Sequence, residues 1–264
     1  ALVAESHLCC EKAAVVRMRL ATLGWDSIHM YAQPSGRSLN GTCGGVFIMA
    51  RQFLHLEPVD EVAISNAAPG LCSRSLRWVP AILRLRAVSV LLVEAYFITG
   101  LGMCGANLDI LHQIQVLVQL LNMPVIIAAD WQATPGEVAG TGVLALLGLE
   151  MMTPADISIT CTVGQRTLDF YLVSSTLVGA VSGVKGDLCA PWAPHRGVRL
   201  NLCSRPRSVM IHQLRVPKPL PMVEFTERHG DFDPENWKNA ERKAKRLLAA
   251  GNGLSMRKVD DTTL

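Results

Sequence analysis

The sequence has no Cys-x-x-Cys pair. Its eight cysteines (Cys9, Cys10, Cys43, Cys72, Cys104, Cys161, Cys189 and Cys203) are scattered. A tetrahedral zinc site or a dithiol redox centre needs paired spacing, so the cysteines read as small buried apolar residues in a reducing compartment. Long apolar runs are also missing. The nearest candidate, Val88 to Met103, is interrupted by Glu94, and no window offers the 18 apolar residues a transmembrane helix needs. No basic segment precedes an apolar core at the N-terminus, so no signal peptide is expected. The expected location is intracellular, cytoplasmic or nuclear, with no membrane partner. There is no initiating Met. The chain opens directly on Ala-Leu-Val-Ala-Glu, which reads as a fragment whose upstream residues are missing. Charge is sparse, at 18% of residues with a net +3. That balance neither demands nor excludes a polyanionic partner. Internal repeats and low-complexity tracts are absent.

What is present is apolar mass: half of the 264 residues are hydrophobic, enough for one large core or two small ones. Strand and helix patterns alternate. Leu2–Ser6 reads as a strand end, and Glu11–Leu23 as a helix stopped by Gly24. Trp25–Ala32, Gly45–Arg51 and Ala87–Phe97 read as strands rich in Val, Ile and aromatics. Between the first two lies a polar, glycine-rich loop, in which Gly44 and Gly45 permit a tight turn. Asn107–Leu121 spaces its apolar residues as a helix does. Pro124–Asp130 is a short continuous apolar run, the pattern of a strand buried on both faces. Gly136–Leu149 reads as a helix, and Thr167–Ser174, Leu177–Gly186 and Gly197–Cys203 as strands. Several strands follow one another directly, which favours two sheets with helices outside over a simple parallel sheet.

Composition shifts near Pro206. Residues 215–221, Arg-Val-Pro-Lys-Pro-Leu-Pro, read as an extended linker. Asp233-Pro234 offers an N-cap and first-turn pair for a helix carrying Lys238, Arg242, Lys243, Lys245 and Arg246, followed by a frayed tail. The expected organisation is therefore a domain over 1–204 and a linker with a basic helix over 205–264. The helix charges read first as a solvated face and second as contacts to a nucleic-acid backbone.

Acidic and imidazole residues recur at strand ends: Glu5, Asp130, Asp169 and His195. Strand tips present side chains to a shared rim on a rigid scaffold. Hydrolysis of a phosphodiester needs a divalent cation held by carboxylates, an oriented water, a base, and a positive partner for the developing charge. Those four residues can supply such a set, although strand-end acids are common in any α/β protein.

Six segments in order carry a more specific signal: Ala4–Leu8 (AESHL), Gly41–Arg51 (GTCGGVFIMAR), Leu91–Phe97 (LLVEAYF), Pro124–Pro135 (PVIIAADWQATP), Thr167–Ser174 (TLDFYLVS) and Ala193–Leu200 (APHRGVRL). Together they resemble the successive motifs of the endonuclease/exonuclease/phosphatase (DNase I-like) superfamily, over about residues 1 to 203. The group includes abasic-site endonucleases and the endonuclease domains of non-LTR retrotransposons. The resemblance implies a two-sheet α/β sandwich with helices on both outer faces, its first strand missing from this chain. It implies Mg²⁺ or Mn²⁺ as cofactor and nucleic acid as substrate, DNA favoured over RNA. By the same resemblance Glu5 holds the metal, Tyr96 hydrogen-bonds the scissile phosphate, and Asp130 orients or deprotonates the attacking water. Gln132 stands where the family has Asn, and Asp169 buttresses His195, which neutralises charge. Ala193-Pro194-His195 replaces a Ser-Asp-His, so an acid is lost beside the imidazole. Two further readings remain: a phosphatase of the same superfamily on a small or lipid phosphoester, and a remnant that binds nucleic acid without hydrolysis. Trp131 and Trp192 could stack on a base, although packing is favoured. Arg37 is a candidate phosphate contact. The other histidines read as structural or surface residues.

Overall fold

The computed structural model describes residues 1–35, 41–70, 76–85, 88–189 and 193–203. Beyond these it describes the backbone of 210–214 and 254–258 and the residues at 238, 239, 242 and 246. Arg37 and Trp192 lie outside the described residues. The chain divides into two compact units, Ala1–Arg205 and Pro206–Leu264.

In the first unit the elements run β1 (Leu2–Val3), α1 (Cys10–Thr22), β2 (Trp25–Met30), β3 (Gln33–Pro34), β4 (Thr42–Cys43), β5 (Val46–Arg51), β6 (Leu56–Pro58), α2 (Glu61–Ala67), β7 (Trp78–Arg84), β8 (Ser89–Tyr96), α3 (Ala106–Leu121), β9 (Val125–Asp130), α4 (Pro135–Gly140), α5 (Val143–Leu147), β10 (Leu149–Met152), β11 (Asp169–Ser174), α6 (Ser175–Val178), β12 (Val181–Asp187) and β13 (Gly197–Leu202). A six-stranded sheet has the order β10-β11-β9-β8-β7-β6, and a three-stranded sheet the order β1-β5-β2. Strands β12 and β13 form a separate antiparallel pair. The three-stranded sheet packs on β7 and β8, β13 meets β11, and α1 lies on β2. On the far side Trp78 Nε1 donates to Gln113 Oε1 of α3 at 2.9 Å. This is the expected layering, with helices outside two packed sheets.

The central strands form where the sequence has no choice. All six residues of β9 are buried, so its backbone groups need partners on both sides. They find β8 in parallel and β11 antiparallel. A parallel neighbour requires a crossover, and α3 supplies it, burying Ile110, Leu111, Ile114, Leu117 and Val118. Behind the strand ends, Trp131 stacks between Phe97 and Phe170 at centroid distances of 4.9 and 5.3 Å. Its indole donates to the Phe170 carbonyl, so Trp131 is a core residue, as the packing reading holds.

Three expectations need correction. Gly136–Leu149 is two short helices. α4 begins with a Thr134–Glu137 capping box and Pro135, and the chain breaks at Gly142, whose φ of 78° is left-handed. Leu149 already belongs to β10. The segment from Leu177 begins with the helical turn α6 before β12 starts. The cysteines are not uniformly buried: Cys161 is, whereas Cys10, Cys104 and Cys189 are exposed.

In the second unit, β14 (Met210–Leu214) pairs antiparallel with β15 (Leu254–Lys258), so a strand stands where the sequence suggests a frayed tail. Lys238, Arg242 and Arg246 are helical and exposed. Their spacing of four places them on one helical stripe.

Candidate active site

Strand alternation and register build the site. Residues two apart on a strand share a face. On one face of the six-stranded sheet, Tyr96 stands beside Asp130, and Asp130 beside Asp169. The row below runs Glu94, Ala128, Tyr171 across the same strands. This face floors a cavity of about 350 Å³, walled by Leu2–Glu5 on one side and Ala193–Val198 on the other.

The first row is tied together by hydrogen bonds. His195 Nδ1 lies 2.9 Å from Asp169 Oδ2, and its Nε2 is 3.8 Å from Asp130 Oδ2. Gln132 Nε2 donates to Asp130 Oδ2 at 2.6 Å, and the Gln132 backbone N–H donates to Oδ1 at 3.3 Å. Gln132 has a left-handed φ of 48°, which turns the chain so that backbone and side chain grip the same carboxylate. The longer arm therefore reaches Asp130 directly. Tyr96 Oη donates to Glu5 Oε1 at 2.9 Å. All six sequence-predicted residues thus meet: Glu5, Asp130, Asp169 and His195 line the cavity, and Tyr96 and Gln132 join them through these bonds.

Burial sets the electrostatics. Asp130 is 4% exposed. Its burial, with repulsion from Asp169 and against the pull of His195 and Gln132, pushes its pKa up to about 7. His195 is raised to about 9, chiefly by its hydrogen bond to Asp169 and against a desolvation penalty. Burial also lifts the Tyr96 hydroxyl to about 12. One carboxyl inclined to hold a proton faces one imidazole inclined to hold another.

Several residues that complete the site are invisible to motif reading. Thr160 is fully buried, and its Oγ1 accepts from the backbone N–H groups of Leu168 and Asp169, both at 2.9 Å. That fixes the start of β11. The same segment holds His195: Arg196 N donates to the Thr160 carbonyl, and Thr162 donates to the Pro194 carbonyl through both its N–H and its hydroxyl. Pro194 brings no charge, yet its carbonyl anchors the turn that carries the imidazole. His7, half-exposed, joins the cavity with Nε2 3.7 Å from Glu5 Oε1. Gly44 and Gly45 are left-handed, at φ 71° and 82°. Their carbonyls accept from the N–H groups of His7 and Ser6, so the glycine turn also holds the Glu5 loop. A Cβ on Gly45 would come within 2.8 Å of Ser6 Oγ. Asn107, fully buried, clasps the backbone N–H and carbonyl of Ile98, closing the loop after Tyr96.

The donor set suits a hard divalent cation. Asp130, Asp169 and His195 offer polar atoms within 4.8 Å of one another; with the imidazole holding its proton, the two carboxylates are the donors that Mg²⁺ or Mn²⁺ accepts. Glu94 Oε2, fully buried, has no hydrogen-bond partner among the described residues. A buried carboxylate without a partner is costly as an anion. The cavity is short of positive charge.

No family model matches the sequence, and no curated protein is significantly similar to it. Solved structures do share its fold. The endonuclease domain of TRAS1, a telomere-specific non-LTR retrotransposon, aligns with a TM-score of 0.50 at 17% identity, over 72% of this chain and 91% of that one. The 3′-5′ exonuclease NExo from Neisseria meningitidis gives 0.50 at 15% identity, over 76% and 88%. The AP endonuclease LMAP from Leishmania major gives 0.51 at 11% identity, over 75% and 76%. At such identities the likeness concerns the fold: this chain has the DNase I-like α/β sandwich its sequence motifs suggest.

Proposed function

We propose that this chain hydrolyses phosphodiester bonds in nucleic acid, DNA before RNA, with Mg²⁺ or Mn²⁺ as cofactor. The observation that carries the reading is the Asp130–His195–Asp169 constellation lining the cavity. Asp130, with a pKa near 7, is matched to accept a proton from water at neutral pH, where a base works best. Gln132 fixes both its oxygens, so the carboxylate has one orientation. His195 stays protonated to about 9 through Asp169 and presents a positive charge toward the cavity. Such a charge stabilises a phosphoryl group more in the transition state than in the ground state. The Tyr96 hydroxyl donates to Glu5 Oε1, and it would contact a phosphate oxygen only once that carboxylate turns to the cation. Glu5 and the neighbouring acids would hold the divalent ion, which when bound polarises the phosphoryl oxygens.

The experiment is divalent-dependent nicking of supercoiled plasmid by the purified chain and by Asp130→Ala. Nicking by the wild type alone, abolished by EDTA, is the expected result. Equal nicking by both proteins points to a contaminant and removes the assignment. A second reading, nucleic-acid binding without hydrolysis, is favoured by Pro194 standing where the superfamily pattern has an acid. It predicts salt-sensitive DNA binding with no nicking by either protein.

A further inference from the structure

Glu94 has no counterpart among the residues that the sequence motifs single out. In the sequence it only interrupts an apolar strand. In the fold it is 3% exposed, lies on the floor of the cavity, and leaves Oε2 without a hydrogen-bond partner among the described residues. Strand alternation puts it on the same face as Tyr96, one row deeper than Asp130 and Asp169, next to Ala128. The small Ala128 side chain leaves the space above it open to the cavity. Four carboxylates therefore line one space: Glu5, Glu94, Asp130 and Asp169. Against them stand His7, His195 and Arg196. The Ala1 ammonium also acts on Glu94, but it is spent on the Met49 carbonyl at 2.6 Å.

An unpartnered carboxylate at the bottom of a polar cavity needs a proton or a cation. Burial pushes its pKa well above the usual carboxylate range, and repulsion from Asp169 and Asp130 adds to the shift. Inside a low-dielectric site, a cation that reaches Glu94 relieves the desolvation cost and the mutual repulsion together. Mg²⁺ and Mn²⁺ match the need: they prefer carboxylate oxygen, and Mg²⁺ keeps several of its own waters, which can span from one row of side chains to the next.

We propose that Glu94 is a ligand of the divalent cation, supplying an inner carboxylate oxygen beneath the Asp130–Asp169 row. The inference rests on reading the cavity as a divalent-cation site, and it adds a ligand that compensates for the acid replaced by Pro194. It also gives the interrupted apolar strand a purpose, since an apolar residue at that position would close the cavity floor at no electrostatic cost.

The test is Mn²⁺ binding followed by the free-ion EPR signal, on the full chain and without substrate. Wild type is compared with Glu94→Gln, Glu94→Asp and the control Asp187→Asn, whose carboxylate pairs with Arg199 on the β12–β13 pair. The expected result is a dissociation constant at least tenfold weaker in Glu94→Gln, unchanged in Asp187→Asn, and not restored in Glu94→Asp. The shorter acid keeps the charge but withdraws the oxygen by one methylene. Melting in EDTA checks folding, and Glu94→Gln is expected to melt no lower than wild type because an unpaired buried carboxylate is gone. If Glu94→Gln does not fold, Glu94→Asp alone decides: wild-type affinity in it overturns ligation. Wild-type affinity in Glu94→Gln overturns the inference while leaving the cation on Glu5 and Asp130, so the hydrolase reading survives. No Mn²⁺ binding by the wild type overturns both.

Discussion

Asp130→Asn should make this protein more stable at pH 8 while abolishing the hydrolysis proposed above. The native carboxyl titrates near 7, against 3.8 for the ordinary group. Below pH 4 folded and unfolded chains both hold the proton. Between roughly pH 4 and 7 the unfolded chain has released it and the folded chain has not, so stability falls by ~1.4 kcal/mol per pH unit. Above pH 7 the whole penalty is present, on the order of 4 kcal/mol. Asparagine keeps the shape without the charge, but it surrenders one of the two hydrogen bonds from Gln132, at a cost of about 1–2 kcal/mol. The net gain at pH 8 is therefore about 2 kcal/mol, shrinking to zero or below at pH 5. His195 titrates in both proteins, so its contribution largely cancels in the difference. The assay is urea unfolding of both proteins in EDTA at pH 5 and pH 8. The decisive quantity is how the stability difference changes between the two pH values, expected to be about 2–3 kcal/mol. A difference that does not move with pH would refute the claim that Asp130 is an electrostatically strained base, because a purely structural role has no reason to follow its titration. A stability gain with loss of function is the expected signature of a site held against its folding preference.

Asp169→Asn removes the main support of the imidazole, so the His195 pKa read by NMR should fall from about 9 toward the ordinary 6.5. The high-pH limb of any nicking profile should then move down with it. Thr160→Val leaves the buried N–H groups of Leu168 and Asp169 without an acceptor, and chemical denaturation should register a loss of about 2 kcal/mol or more. Gly45→Ala combines a left-handed backbone with a Cβ 2.8 Å from Ser6 Oγ and 3.1 Å from Ala32. It should destabilise the fold by more than about 1 kcal/mol and loosen the Glu5 loop. Gly44→Ala, whose nearest side-chain contact is 3.8 Å away, should show the backbone strain alone in the same melting experiment.

The strands that frame the site are those whose sequence has one reading. β8, β9 and β11 are apolar runs too short for helices, and each ends at a polar tip that motif order connects to the next. The α4–α5 break was hidden because Gly136–Leu149 has continuous helical content, and only the left-handed turn at Gly142 divides it. β7 was hidden by Pro80, which argues against a strand interior. The three-residue β6 stops pairing at Ala81, one position short, so the missing N–H of Pro80 disrupts no bond on that side. Motif order picks out six residues that the fold brings together, because each sits at or beside an element end that local sequence marks. It could not give Thr160, His7 or Glu94. Thr160 acts through the backbone of Leu168 and Asp169, and His7, two residues past Glu5, carries no local mark that separates it from a surface histidine. Glu94 could have been found from the two-residue period alone, since a strand that presents Tyr96 to a site must present position 94 to the same side.

The hydrogen bonds of the site also dictate when it can exist. Tyr96 meets Glu5 across 91 residues, and His195 meets Asp169 across 26. No contiguous stretch of the sequence contains a working subset. As the chain leaves the ribosome, the sheet carrying Asp130 can form well before the turn at Ala193–Arg196 is made, and until then Asp130 lacks its imidazole. Contacts this distant in sequence are slow to close. A chain that stops before Ala193 has no His195, and so leaves Asp130 and Asp169 without the imidazole that stands between them.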